Sequence, residues 1–316
     1  MKKTPWLVVG AGAIGLFWAC KLEKLGYPVH LVYRSEKPGK KITLDSFDED
    51  DPQQPVTSIH KIKSFKVDEL SKQYDQVLFC TKAYDLNTAF QSVEHYLTEQ
   101  ATIACLCNGL GAQQLVQKQL KPTQTLWAGV TSEGALKLDS NRVKHTGFGD
   151  TYFGLWDAQH KAVNFPIESL QITNIHQKLI EKLAINAVIN PITAVFGLYN
   201  GEVLDDDYSN LFHQALAELD QLFSHPKFLY SEQSKHLTLD TLTHRVSNVA
   251  KLTRLNRSSM HEDIRLHRPT ENQFISGFLI DNSPIEMPIQ TLLYQAIKCE
   301  EHEPLEKLKK KLLSVA

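Results

Sequence analysis

Three polar side chains recur at four-residue intervals within an otherwise apolar stretch of the sequence. Lys182, Asn186 and Asn190 therefore line one stripe if the stretch is an α-helix. Buried polar groups need hydrogen-bond partners, so the stripe suits either a site for a polar ligand or a structural network between packed helices. Pro191, which follows directly, predicts that the helix ends or kinks at Asn190.

A second polar segment covers residues 258–263 and 268–271. Within it, Thr270 and Gln273 have the spacing of a capping box, which places Glu271 in the first turn of a helix. A carboxylate at that position interacts favourably with the helix dipole whether or not it takes part in chemistry. The residues alone therefore leave both interpretations of Glu271 open.

Glycines near the amino terminus have the spacing of a dinucleotide-binding turn. Gly10, Gly12 and Gly15 follow a predicted strand and lead into an amphipathic helical segment. Gly10 permits a tight turn, Gly12 lets the backbone approach a diphosphate, and Gly15 lets the helix pack closely on the strand. The helix begins around Ala13 and Ile14, where free backbone N–H groups would face the anion. The motif predicts nucleotide binding.

The end of the second predicted strand bears on which nicotinamide cofactor binds. An NAD enzyme usually carries Asp or Glu there for the ribose 2′-hydroxyl. Here Arg34 could donate two hydrogen bonds to a 2′-phosphate, and Ser35 could add a hydroxyl. Glu36 is the counter-argument, because a small shift in register would place an acid beside the ribose. Arg34 also suits an ordinary solvated strand end, but the pattern favours NADP.

Two further strand ends carry polar side chains. Lys82 follows the predicted strand at residues 77–80, and Asn108 follows the one at residues 102–106. Ligands bind outside the carboxyl ends of strands in open parallel sheets, so both residues are placed for contact with cofactor or substrate. A lysine there is equally compatible with a plain surface position, and an Asn-Gly pair with a turn.

The first half of the chain contains the elements that would position these strand ends. Short apolar strands alternate with helical segments, which predicts a doubly wound parallel sheet. The predicted strands are residues 6–9, 29–33, 77–80, 102–106 and 125–130. Shorter segments at residues 135–138, 142–146 and 151–155 predict antiparallel hairpins that complete this sheet. The acidic residues 45–51 predict an exposed loop.

Helical periodicity replaces the strands from about residue 175 onward. Apolar residues recur at helical spacing over residues 175–196, 211–223 and beyond 274. We therefore predict an α/β protein with an NADP-binding Rossmann domain over residues 1–170. An all-helical substrate-binding and catalytic domain follows over residues 171–316.

The composition excludes several classes of protein. A net charge of -2 gives no electrostatic case for a nucleic-acid or membrane-surface partner. The five cysteines include no CxxC pair and are odd in number, which indicates reduced thiols in a cytoplasmic protein. Lys2 and Lys3 before an apolar stretch resemble a secretory signal, but the glycine spacing favours strand, turn and helix. No other run approaches the length of a membrane span, and the histidines lack metal-ligand spacing.

Taken together, these segments resemble the ketopantoate reductase (2-dehydropantoate 2-reductase) family of the pantothenate pathway. The resemblance spans nearly the whole chain, through GAGAIG, TKA, NGLG, KLAINAVINPITA, Asn200-Gly201 and the segment SSM…D…TE. It implies a Rossmann domain and a helical domain with the active site between them. It also implies that NADPH reduces 2-dehydropantoate (ketopantoate) to pantoate.

The resemblance further implies roles for individual side chains. Lys182 would be the general acid, and Glu271 would be its partner at the substrate hydroxyl. Asn186, Asn190 and Asn200 would line the pantoyl pocket, and Ser259 would bind the carboxylate. Asn108 would lie by the nicotinamide, and Lys82 and Arg34 would contact the cofactor.

Some residues depart from the family pattern. Asp85 stands where many members have glutamine, and His261-Glu262 replaces an apolar–glutamine pair. A family resemblance does not fix the side-chain pocket, so reduction of another branched 2-oxo acid is one alternative function. A non-catalytic NADP-sensing module is the other. In each case we expect a small-molecule ligand and a monomer or homodimer.

Overall fold

The computed structural model describes residues 3–35, 38–48, 51, 54–157, 164–299 and 301–314. Glu36, the counter-argument to NADP, lies outside the described residues. The chain forms two compact units: the first comprises Met1–Cys107 and Ala112–Ile175, and the second comprises Asn108–Gly111 and His176–Ala316. The sequence-based boundary, between residues 170 and 171, falls five residues before the main division.

The described part of the first unit contains eleven strands. They are β1 (Trp6–Val9), β2 (Val29–Val32), β3 (Lys41–Phe47), β4 (Pro55–Lys61), β5 (Lys63–Phe65), β6 (Tyr74–Phe79), β7 (Leu97–Cys105), β8 (Thr125–Thr131), β9 (Gly134–Asp139), β10 (Arg142–Gly147) and β11 (Thr151–Leu155). Seven of them form one sheet in the order β11-β8-β7-β6-β1-β2-β5. All neighbours pair in parallel except β11, which is antiparallel to β8.

The parallel core of this sheet confirms the doubly wound pattern read from the sequence. Every residue of β1 and β2 is buried, as expected for strands covered on both faces. Strand β1 lies between β2 and β6, with Val8 opposite both Leu31 and Leu78. The carboxyl ends of these three strands therefore lie side by side, which is where a doubly wound sheet binds its ligand.

A second sheet corrects two predictions. Strands β9 and β10 do not complete the main sheet but form a separate one in the order β4-β3-β10-β9, so only β11 joins the main sheet as predicted. Residues 45–47 of the predicted acidic loop lie in β3. The reason is a cross-strand ion pair, since Arg142 Nε lies 2.7 Å from Asp45 Oδ2. This hydrogen bond holds the pKa of Asp45 below its usual range.

Three helices of the first unit follow strands of the main sheet. They are α1 (Ala13–Lys24), α2 (Ala83–Val93) and α3 (Ala112–Gln117). Helix α1 contributes Trp18 to an aromatic core, where the Trp18 ring meets the Phe153 ring edge-on at 5.7 Å. Phe153 in turn stacks on Phe165 at 4.5 Å. These large buried rings fix α1, and with it the glycine turn, against the sheet.

The described part of the second unit is helical, as predicted. Its helices are α4 (Ile175–Phe196, whose first residue belongs to the first unit), α5 (Asp206–Phe223), α6 (Ser231–Ser234), α7 (Leu239–Leu252), α8 (Ser259–Arg265), α9 (Ser276–Asp281), α10 (Pro288–Lys298) and α11 (His302–Ser314). Helix α4 has the predicted bounds. Helix α5 begins five residues earlier than predicted, because Asp206 and Asp207 are acidic first-turn residues that suit the helix dipole.

By length and composition alone, α4 could cross a membrane, contrary to the sequence-based expectation. However, 78% of its apolar 18-residue window is buried inside the protein. A buried core helix passes the same test, so α4 is only weak evidence for a membrane span.

Helix α4 also continues through Pro191 instead of ending at Asn190. Proline has no N–H to donate to the carbonyl four residues earlier, which here belongs to Ala187. The side chain of Gln290 on α10 supplies the missing donor, with Nε2 3.0 Å from that oxygen. Glu218 on α5 fixes Gln290 in turn, because its carboxylate accepts the backbone N–H of Gln290 at 2.8 Å. Neighbouring helices thus keep α4 helical past its proline.

Candidate active site

The glycine turn between β1 and α1 has the geometry that a dinucleotide requires. Gly10 has a φ of +109°, a conformation that residues with a side chain rarely adopt. A Cβ on Gly15 would lie 1.7 Å from the carbonyl oxygen of Gly10, so only glycine allows this approach of helix to turn. A Cβ on Gly12 would meet no described atom within 4 Å, and this open side is where a diphosphate would come close.

Backbone N–H groups at the start of α1 can donate hydrogen bonds to the same diphosphate. Gly12 is the N-cap of α1, and no side chain in the described part of the chain caps it. The first-turn N–H groups, which include those of Ala13 and Ile14, have no partner within the helix and are suited to an anion. Beside them, Thr81 Oγ1 is buried without a hydrogen-bond partner among the described residues. Sequence reasoning missed Thr81, although its position directly after a strand was a usable signal.

Arg34 follows β2 and forms an ion pair at the same edge of the sheet. Its Nη1 lies 3.3 Å from both carboxylate oxygens of Asp85 in the first turn of α2. The Arg34 side chain is 85% exposed, so a second anion can still reach its guanidinium. Lys82 is the N-cap of α2 and lies partly buried close by in sequence. Asp85, a departure from the family pattern, is therefore the ion-pair partner of Arg34.

Burial increases along the polar stripe of α4, from Lys182 to Asn190. Lys182 and Asn186 are partly exposed, whereas Asn190 is buried. The adjacent Glu181 is buried and accepts hydrogen bonds from Lys178 at 3.1 Å and from His236 at 2.8 Å. Burial acts to raise the pKa of Glu181, but these bonds and nearby positive charges outweigh it and lower the pKa. Of these two partners only His236 lies outside α4, so its bond to Glu181 ties α4 to the segment between α6 and α7.

Glu271 lies in the second unit, bound to the loop that follows β7. Asn108 Nδ2 donates to its carboxylate at 3.0 Å, and the Glu271 residue is only 4% exposed. The loop is held by a backbone bond of 2.9 Å from Leu110 N–H to the Phe274 carbonyl. Gly109 has a φ of +80°, and its missing Cβ would lie 2.2 Å from that same oxygen. Contacts within the second unit therefore hold Asn108 and Glu271 in place relative to each other.

The backbone around Glu271 differs from the predicted capping box. Glu271 directly precedes a short 3₁₀ turn, Asn272–Phe274, instead of lying within the first turn of an α-helix. Thr270 Oγ1 accepts from the Asn272 N–H at 3.4 Å, and Gln273 instead donates to Asp281 at 3.0 Å. The helix-dipole explanation for Glu271 loses its basis with this correction.

Asn200 and Ser259, which are also predicted to contact the substrate, differ in their burial. Asn200 is buried and donates from Nδ2 to Thr253 at 3.0 Å, while its Oδ1 has no partner among the described residues. That oxygen can accept a ligand hydroxyl. Ser259 is exposed as the first residue of α8. Its neighbour Ser258 is the buried N-cap, and its hydroxyl lies 2.7 Å from that of Thr193 on α4.

The candidate residues thus fall into two groups. The glycine turn, Arg34 and Lys82 lie in the first unit and suit a nicotinamide dinucleotide. Asn108, Glu271 and the stripe on α4 lie in the second unit and offer a cation, a buried carboxylate and amides. Together with a Rossmann sheet, these groups define the class of dinucleotide-dependent oxidoreductases.

Comparison with known proteins places the chain within this class. Residues 6–158 match the family model "Ketopantoate reductase PanE/ApbA", and residues 174–301 match its "C terminal" model. The curated 2-dehydropantoate 2-reductase of Vibrio cholerae is 30% identical over 305 residues, which cover 92% of this chain and 96% of that protein. This chain belongs to the ketopantoate reductase family.

Solved structures share its fold. A probable 2-dehydropantoate 2-reductase from Bacillus subtilis superposes with a TM-score of 0.72 at 23% identity, covering 93% of this chain and 99% of the other. D-mandelate dehydrogenase in a ternary structure with NADH and anilino(oxo)acetate gives 0.76 at 19% identity, with coverage of 96% and 99%. At these identities the likeness concerns the fold alone.

Proposed function

We propose that this protein reduces 2-dehydropantoate to pantoate with NADPH, as the step of pantothenate biosynthesis that its family relatives are named for. The observation that carries the proposal is the buried Glu271 carboxylate bound to Asn108 in the unit that also holds Lys182. A site that only sensed NADP would not need these groups. Membership in the family over nearly the full chain supplies the substrate class.

Lys182 has the chemistry of the general acid. NADPH, when bound, supplies a hydride to the C2 carbonyl carbon of the substrate. The carbonyl oxygen then gains negative charge, which the Lys182 ammonium stabilises before donating a proton to it. Lys182 is partly exposed on α4, so a small ligand can reach it.

Glu271 and Asn108 position the substrate in this proposal. A carboxylate beside the ammonium favours its charged form and accepts a hydrogen bond from the substrate hydroxyl. Asn108 Nδ2 already donates to Glu271, which holds the carboxylate in one orientation. Both residues therefore act by binding and orienting, while the proton comes from Lys182.

Amide side chains suit the rest of the pocket. Asn186, Asn190 and Asn200 can each donate and accept, as binding of a hydroxyl and a carboxylate requires. The Asn200 Oδ1 without a partner among the described residues is the clearest acceptor for a substrate hydroxyl. Ser259, exposed at the start of α8, is assigned to the substrate carboxylate.

A substrate panel tests the proposed activity. We expect NADPH absorbance at its nicotinamide band to fall fastest with 2-dehydropantoate, and more slowly with 2-oxoisovalerate and other branched 2-oxo acids. The second candidate, a reductase of another branched 2-oxo acid, predicts a different order within the panel. It is favoured by the D-mandelate dehydrogenase structure, which shows that this fold also serves another 2-hydroxy acid. An NADP-sensing module would bind NADPH and oxidise it with none of these acids.

Replacing Arg34 with aspartate should weaken NADPH binding by about tenfold or more and leave NADH binding nearly unchanged. The change removes the partner of the 2′-phosphate and adds repulsion toward it. Fluorescence titration with both dinucleotides measures the two dissociation constants. Asp85→Asn is the matched control, because it frees the guanidinium from its ion pair and should preserve or raise NADPH affinity. A wild-type preference for NADH would refute the assignment of Arg34.

The cellular setting belongs to the same proposal. None of the five cysteines, all of which lie in the described part of the chain, forms a disulfide, and three of them are buried, which suits a reducing cytoplasm. We propose a cytoplasmic enzyme that acts on a small 2-oxo acid as a monomer or homodimer.

A further inference from the structure

Strand β9 of the second sheet reverses the usual alternation of polar and apolar residues. Leu136 and Leu138 are 52% and 48% exposed, whereas Lys137 between them is partly buried. Lys137 pairs with Val143, which is fully buried, so both side chains share the inner face of the sheet. A lysine directed inward while leucines face outward is costly, and such reversals are expected at functional positions.

The inward lysine reaches the glycine turn. Lys137 Nζ donates to the carbonyl oxygen of Ala11, between Gly10 and Gly12, at 3.2 Å. Ala135, two positions earlier on the same face, packs against the same core as Ala11 and Ile14. Strand β9 therefore lies over the start of α1, and Lys137 is the cation that it presents there.

Among the described residues, no carboxylate forms an ion pair with Lys137. The two carboxylates closest to it in sequence have other partners. Asp139 accepts the backbone N–H of Asn141 at 2.7 Å, and Glu133 is engaged by Lys21 at 3.0 Å and by His145 at 2.7 Å. The ammonium has three N–H donors, and the Ala11 carbonyl accepts one of them. A partly buried lysine facing a neutral carbonyl is stabilised when an anion joins it.

We infer that Lys137 is a further cofactor-binding residue, which contacts the diphosphate of the nicotinamide dinucleotide. Its two remaining N–H groups are available beside the turn where Gly12 leaves space for this group. The inference deepens the proposed function and rests on its use of a dinucleotide. It differs from the role of Arg34, since the diphosphate is common to NADPH and NADH whereas the 2′-phosphate is not.

The test compares binding of the two dinucleotides to charge-removing variants. Lys137→Gln can still donate to Ala11 but carries no charge, and Lys137→Met keeps the aliphatic stem, so either variant that folds is informative. We expect each to weaken NADPH and NADH binding by about tenfold or more, with the ratio of the two dissociation constants unchanged. Lys137→Arg should bind close to wild type. Lys144→Gln is the matched control, because Lys144 lies exposed on the neighbouring β10.

Three results would overturn the inference. Loss confined to NADPH would assign Lys137 to the 2′-phosphate. Unchanged dissociation constants with a lower melting temperature of the free protein would make it a structural tether of Ala11. Equal losses in the Lys137 and Lys144 variants would indicate a general charge effect. Wild-type protein that bound neither dinucleotide would instead refute the proposed function itself, and this inference with it.

Discussion

Replacing Lys182 with alanine should slow the reduction of 2-dehydropantoate by about a hundredfold to ten-thousandfold while NADPH binds nearly as tightly as before. The ammonium acts on charge that develops during hydride transfer, so its loss affects the rate more than ground-state binding. Lys182 lies in the second unit, whereas the glycine turn lies in the first. Single-turnover rate and NADPH affinity, measured on one preparation, check both parts of this expectation.

Lys178→Ala is the matched control for this experiment. It removes the same charge one turn earlier on α4, where Lys178 bonds to Glu181 at 3.1 Å. We expect this variant to lose some thermal stability and to keep its rate per folded molecule. If Lys182→Ala behaved in the same way, the polar stripe would be a structural network and Lys182 would leave the mechanism.

Glu271→Gln should raise the KM for 2-dehydropantoate by about tenfold to a hundredfold, with a smaller effect on kcat. Glutamine keeps the shape of the side chain, and its amide oxygen can still accept from Asn108. It lacks the negative charge that would hold the Lys182 ammonium and orient the substrate hydroxyl. Steady-state kinetics over a range of substrate concentrations separates KM from kcat.

Glu232→Gln controls for the loss of a carboxylate elsewhere in the second unit. Glu232 is exposed and pairs with Lys235 on the surface, so its replacement should leave both kinetic constants unchanged. Asn108→Ala should shift KM in the same direction as Glu271→Gln, because it removes the donor that orients the carboxylate. A Glu271→Gln enzyme with normal KM and a reduced melting temperature would show that Glu271 is only a buried structural group.

Local patterns in the sequence predict the elements that are buried on every side. Strand β1 is a continuous apolar run, and β2 is apolar apart from His30. From Lys182 onward, α4 is apolar at nearly all positions outside its stripe, so the existence and type of these elements follow from hydrophobicity. The glycine spacing likewise predicts the turn, because only glycine at position 15 can come this close to the carbonyl of Gly10. In these segments local preference and tertiary environment agree.

Features that depend on distant partners could not be predicted in this way. Strand β3 carries an acidic residue, and its pairing depends on Arg142, which lies 97 residues away in the sequence. The contact between Asn108 and Glu271 spans 163 residues. Helix α4 passes Pro191 only because Gln290 satisfies the Ala187 carbonyl. No local pattern encodes these pairings, so each appears only in the folded chain.

The grouping of Asn108–Gly111 with the second unit has a practical consequence for exchanging cofactor domains between relatives. A chimera joined only at residues 175 and 176 would import a foreign four-residue loop against the resident Phe274. Any residue other than glycine at position 109 would then collide with the Phe274 carbonyl. The donor's loop must therefore match the recipient's 3₁₀ turn, or the recipient's own residues 108–111 must be restored. In this protein the transplantable module is discontinuous in sequence.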